Sequence, residues 1–81
     1  MASGAGSRGP APVSTAQPVG LGFDPTLNRL AQQCFDGRMA ACDELFDDSD
    51  VGSDYEHYGD TCAGRQPAGQ EEYCTDVFAD S

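Results

Sequence analysis

The residues of this chain with the widest chemical reach are Cys34, Cys42, Cys62 and Cys74. They are spaced C-x7-C and then C-x11-C. Neither spacing matches the C-x2-C knuckles of zinc ribbons, and the C-x-x-C of a redox-active dithiol is absent. An even number of cysteines in so short a chain reads as a disulfide framework made in an oxidising compartment. Zinc held by the four cysteines, or by three of them with His57, is the competing reading.

Carboxylates are the second candidate. Residues 43–60 hold eight of them and no Lys or Arg, and calcium favours such oxygen ligands. The register of a calcium loop fails, however. With Gly52 at the sixth position, Asp47 stands first, but Val51 stands fifth and Tyr58 twelfth, where the closing glutamate belongs. The stretch reads as a solvated acidic face, with weak calcium binding as the alternative. His57 is the single histidine. A catalytic site needs a nucleophile and an orienting group that converge on it, and Ser53 nearby is better explained as a helix cap. No enzyme activity is expected, and no cofactor.

These groups must be positioned by short helices. Asp24 suits an N-cap and Pro25 the first helical position. Leu27, Leu30, Ala31, Cys34 and Phe35 then follow at i, i+3, i+4, i+7 and i+8, one helical face. Gly37 ends that helix. A second helix runs from about Arg38 to Phe46, with Met39, Cys42, Leu45 and Phe46 on one face. So short a link makes the pair an antiparallel hairpin. It sets Cys34 and Cys42 at similar depth and predicts the sequential pairing, Cys34–Cys42 and Cys62–Cys74. Ser53-Asp54-Tyr55-Glu56 matches a capping box for a third, short helix ending at Gly59. Residues 61–69 read as loop. Residues 70–79 read as a last helix, with Tyr73, Cys74, Val77 and Phe78 on one face and Glu71 and Glu72 in its first turn.

Residues 1–22 are mostly Gly, Ala, Ser and Pro, with Arg8 the single charged side chain and no aromatic residue. They read as a disordered linker; an extended strand packed on the domain is the alternative. They carry neither a signal-peptide pattern nor a membrane span. The expectation is therefore that the linker joins the module to an anchor or another domain. Residues 23–81 form the folded part. They hold all 14 acidic residues against Arg29, Arg38 and Arg65, a formal charge of about −11. Nucleic acid and anionic membrane surfaces are poor partners for that charge.

Two stretches, LNRLAQQCFDGRMAACDELF and GSDYEHYGDTCAGR followed by YCTDVF, resemble a short cysteine-containing domain of actinobacterial membrane-anchored surface proteins. Some of those proteins are similar to receptor-type serine/threonine kinases. The resemblance implies a terminal extracytoplasmic appendage behind a Pro/Ala/Gly linker, with no activity to carry over. The hairpin alone also resembles the disulfide-bridged helix pairs of tetratricopeptide-like repeat proteins.

The expected molecule is an all-α, disulfide-stabilised domain: a helical hairpin plus two short helices. The expected role is non-enzymatic binding of a protein or cell-envelope ligand outside the bacterial membrane, with the acidic charge favouring a basic one. A metal-binding domain is the rival. The candidate recognition segment is Asp54, Tyr55, Glu56, Tyr58, Asp60 and Arg65, since aromatic rings and Arg anchor interfaces. The competing reading buries these aromatics, with Tyr73 and Phe78, in the core.

Overall fold

Asp24 starts the first helix as its residue type demands. Its Oδ1 accepts from the amides of Thr26 (2.9 Å) and Leu27 (3.1 Å), satisfying donors that no helical carbonyl reaches. The computed structural model, which describes residues 9–70 and 72–80, thus begins α1 at Pro25 and ends it at Phe35. Leu30, Ala31 and Cys34 are its buried face. Gly37, at φ 108°, turns the chain within three residues, a conformation that a side chain would oppose.

The second helix, α2 (Met39–Asp48), buries Met39, Ala41, Cys42 and Leu45. Its N-cap, Arg38, supplies no side-chain bond. Asp80 does the capping instead: its Oδ1 accepts from the Met39 amide at 2.8 Å. A carboxylate at this end also meets the positive pole of the helix. The end of the chain is thereby tied to the hairpin.

The third helix, α3 (Asp54–Asp60), follows the expected cap: Ser53 Oγ accepts from the Glu56 amide at 3.1 Å. The Glu56 carboxylate reaches one residue further back than a capping box requires, to the Gly52 amide at 2.8 Å. Gly59 lies within α3 rather than ending it. It is buried where α3 crosses α2, and a Cβ there would stand 2.7 Å from the Cys42 carbonyl oxygen and 2.8 Å from the Phe46 nitrogen. Both are backbone atoms, so the helices themselves must separate. We expect Gly59→Ala to destabilise the domain by about 1–3 kcal/mol, read as a lower urea midpoint with helicity retained. An unchanged midpoint would contradict this close approach.

The last helix is much shorter than expected. α4 spans Cys74–Val77, and Phe78–Ala79 then leaves the helix as a two-residue strand, β2. Asp43 of α2 explains where α4 starts. Its carboxylate accepts from the amides of Cys74 (2.6 Å) and Thr75 (3.2 Å) and from the Thr75 hydroxyl (2.8 Å). Glu72 precedes the helix, and Glu71 lies outside the described residues. Both bridges are closed, Cys34–Cys42 and Cys62–Cys74. The result is a small all-α domain of four helices stabilised by two disulfides, as the sequence predicts.

The reading of residues 1–22 as a disordered linker needs correction for residues 9–22; residues 1–8 lie outside the described part. Gly9–Pro10 forms strand β1, parallel to β2, with Gly9 opposite Phe78 and Pro10 opposite Ala79. Ala11 and Ser14 are buried. Further along, Arg65 Nε donates to the Pro12 carbonyl (2.6 Å), Ser14 Oγ to the Ala63 carbonyl (2.6 Å) and the Tyr58 hydroxyl to the Ala16 carbonyl (2.6 Å). The segment has no core of its own. It is ordered because donors of the domain reach carbonyls that an extended, proline-containing backbone leaves free. Pro10, Pro12 and Pro18 reduce the entropy lost on ordering it.

Candidate functional site

The predicted recognition segment is mostly interior. Tyr55 is 7% exposed and Tyr58 6%. The Tyr55 hydroxyl donates to Asn28 Oδ1 (2.8 Å) and accepts from the Asp24 amide (3.0 Å). Its ring leaves no room for a Cβ at Gly22. Arg65 spends its guanidinium on four backbone carbonyls, those of Pro12, Cys34, Cys62 and Phe35. Tyr55, Tyr58 and Arg65 therefore do not form an exposed patch. Of the acids, Asp54 is exposed in the first turn of α3 and Glu56 holds the Gly52 amide. Asp60 lines a cleft.

That cleft, of about 290 Å³, is lined by Asp43, Phe46, Gly59, Asp60, Glu72 and Tyr73. Each lining group has an identifiable support. Gly59 lines the cleft where α2 and α3 meet in close approach. Half-buried Phe46, near the end of α2, is one aromatic wall. Tyr73 is the other: it is 46% exposed, because α4 begins one residue later and leaves it outside the helix. Its hydroxyl donates to the Asp47 carboxylate at 3.0–3.1 Å, which holds the ring. Asp60 Oδ2 accepts from the Gly69 amide at 2.8 Å, bracing the 61–69 loop. Glu72 is exposed at the rim.

No basic residue lines this cleft. Its three carboxylates, with Asp47 at the Tyr73 hydroxyl, place negative charge beside two aromatic rings. Such a site attracts a cation by Coulomb forces and by the ring quadrupoles together. Sequence reasoning missed Phe46, Tyr73, Asp43 and Glu72 as site residues. Helical periodicity assigned the two aromatics to the core. No local pattern shows that Asp43 will cap a helix 31 residues onward.

Among the described residues, no three His, Cys, Asp or Glu side chains come together to hold a metal ion. The cysteines are all consumed in disulfides, and His57 is exposed on α3. The zinc and calcium readings thus find no support in the geometry. No helix among the described residues is long and apolar enough to cross a membrane. None of the protein families, curated proteins or solved structures compared with the chain matches it.

Two tyrosines carry a testable electrostatic signature. Burial lifts the Tyr58 hydroxyl above its ordinary value of 10.0. The hydrogen bond to Asp47, and then that carboxylate's charge, lift Tyr73. A raised folded value means that the neutral phenol is favoured by the fold. The contribution of Tyr58 is therefore complete below the unfolded value of about 10 and is lost as pH rises beyond it. Ultraviolet titration should find two phenols ionising later than free tyrosine, with urea stability falling as pH rises past about 10. Tyr58→Phe should flatten that fall; an equally steep fall in the variant would contradict the assignment.

Proposed function

We propose that this chain is a non-enzymatic, extracytoplasmic interaction module whose cleft between α2, α3 and Tyr73 takes a cationic side chain of a protein partner. The observation that carries this reading is the pair of aromatic walls, Phe46 and Tyr73, set among Asp43, Asp60 and Glu72 with no basic residue between them. At about 290 Å³ the cleft sits at the lower end of pockets that enclose whole small molecules. That size suits one side chain of a larger partner.

A binding role is favoured over a catalytic one by how the acids are employed. Asp43 already accepts three hydrogen bonds and Asp60 one. They are braced acceptors that supply charge without needing to exchange protons. The single histidine lies outside the cleft lining. The extracytoplasmic assignment rests on two closed bridges in so small a domain, the usual mark of an oxidising compartment. The net charge of −10 would steer a basic partner toward the module, so association should slow as salt rises.

The test compares synthetic Gly-Lys and Gly-Glu peptides of equal length against the oxidised chain by calorimetry. We expect binding of the lysine peptide alone, weakened by salt. Tyr73→Ala should weaken it by about two- to fivefold, the scale of one exposed cation–π contact of 0.5–1 kcal/mol. Equal affinity for both peptides, or an unaffected Tyr73→Ala variant, would overturn the proposal.

A further inference from the structure

Two of the residues that the sequence marks for recognition, Tyr58 and Arg65, hold an extended segment of their own chain. We infer that the channel over α3 and the turn at residues 61–65 is a receptor for an extended peptide, and that the partner it fits is the 9–16 segment of a second copy. The mode of binding supports this. The segment is held chiefly through its backbone. Arg65 and Tyr58 donate to the carbonyls of Pro12 and Ala16, and Ser14 Oγ donates to the Ala63 carbonyl. Gly9–Pro10 adds a short parallel ladder to Phe78–Ala79. Only Ala11 and Ser14 are buried along this stretch. So little buried apolar surface lets the segment open as a unit while the helices stay closed.

The receptor side is organised without the segment. Arg65 keeps three further carbonyls, those of Cys34, Cys62 and Phe35, at 2.9–3.1 Å. The left-handed turn of Cys62 (φ 55°) and Ala63 (φ 59°), which presents the Ala63 carbonyl, is pinned by the Cys62–Cys74 bridge. The connector is a pivot between two anchored points. Beyond it, Gly22 lies against the Tyr55 ring and the Asp24 amide reaches the Tyr55 hydroxyl. Within it, Gln17, Val19 and Gly20 are exposed, and Gly20 turns at φ +73° with open space where a Cβ would stand.

A second copy carries the same segment, so every contact made within one chain is available between two. Exchange by two-fold symmetry fills both channels, and only the connector changes shape. At low concentration the tethered segment wins, because its effective concentration lies in the millimolar range or above. The positive φ at Gly20 belongs to the closed connector. A β-branched residue there is strained and shifts the balance toward the exchanged pair.

The experiment uses the full oxidised chain and its Gly20→Val variant. Sedimentation should show a concentration-dependent dimer whose dissociation constant is about tenfold or more lower in the variant, from one strained position per chain. Isotope-filtered NMR on a mixture of differently labelled copies should place Ala16 of one copy beside Tyr58 of another. Three outcomes would overturn the inference. They are a variant that stays monomeric with its segment docked, one that stays monomeric with its segment released, and a dimer with no segment contact between copies.

Discussion

Reduction of the two disulfides is expected to unfold this domain. Six side chains stand out as the largest that are fully enclosed: Met39, Leu45 and the four cysteines. The bridges are therefore core as well as cross-link. They close loops with sequence separations of 8 and 12, worth about 2.5–3 kcal/mol each in the chain-entropy model. A domain of this size has a total stability of about 4–12 kcal/mol. Losing both bridges removes much of that, before the cost of placing four thiols where cystines packed. Circular dichroism of the oxidised chain should show a cooperative melt, absent after reduction. Of the single-bridge variants, the Cys62→Ser/Cys74→Ser pair should also fray α4, since four helical residues are then held only by the Asp43 cap and the short β1–β2 pairing. Retained helicity and an unchanged melting temperature in reductant would contradict this account.

Arg65→Ala is expected to be the most damaging substitution outside the cysteines. One guanidinium joins the N-terminal segment at Pro12, the end of α1 at Cys34 and Phe35, and the turn at Cys62. Its charge also sits at the C-terminal end of α1, where the helix dipole favours a cation. A hydrogen bond to a charged donor contributes about 1.5–3 kcal/mol, and carbonyls left without donors add to the loss. The contributions overlap, so we expect a total near 3 kcal/mol. For a domain this small that lowers the melting temperature by more than about 10 °C. Arg65→Lys should recover less than half, because an ammonium is a point donor and cannot span four carbonyls in a fixed fork. Hydrogen exchange adds a readout specific to the tie. The Ala11 amide, bonded to the Ala79 carbonyl at 3.0 Å, should lose protection before the helices do. If Lys restores full stability, a generic charge effect replaces the clamp.

The parts of this fold that were legible in the sequence are those governed by local rules. Asp24-Pro25, the apolar spacing of α1 and Gly37 announce the hairpin, and the hairpin brings Cys34 beside Cys42. Ser53 announces α3. The misread parts are governed by partners far away in the chain. The segment at residues 9–16 looks unfoldable because its own composition offers nothing to bury; its donors, Tyr58 and Arg65, lie 42 and 53 residues downstream. The last helix looks long because Tyr73, Cys74, Val77 and Phe78 keep helical spacing. Asp43 caps it late and pairing with Gly9–Pro10 draws Phe78 into a strand. The same truncation turns Tyr73 outward and makes it a wall of the cleft. Tyr58 and Arg65 look like a recognition pair by residue type, but their donors are spent inside the molecule. What they bind is backbone of the same chain.

The cleft is the central claim, and an amide NMR titration of the oxidised, 15N-labelled chain with a Gly-Lys peptide tests it most directly. The expected result is a saturable set of shifts confined to Phe46, Gly59, Asp60, Glu72 and Tyr73, weakened by salt and missing with a Gly-Glu peptide. Shifts spread evenly over the acidic surface of residues 43–60, or a pattern unchanged in Tyr73→Ala, would contradict it.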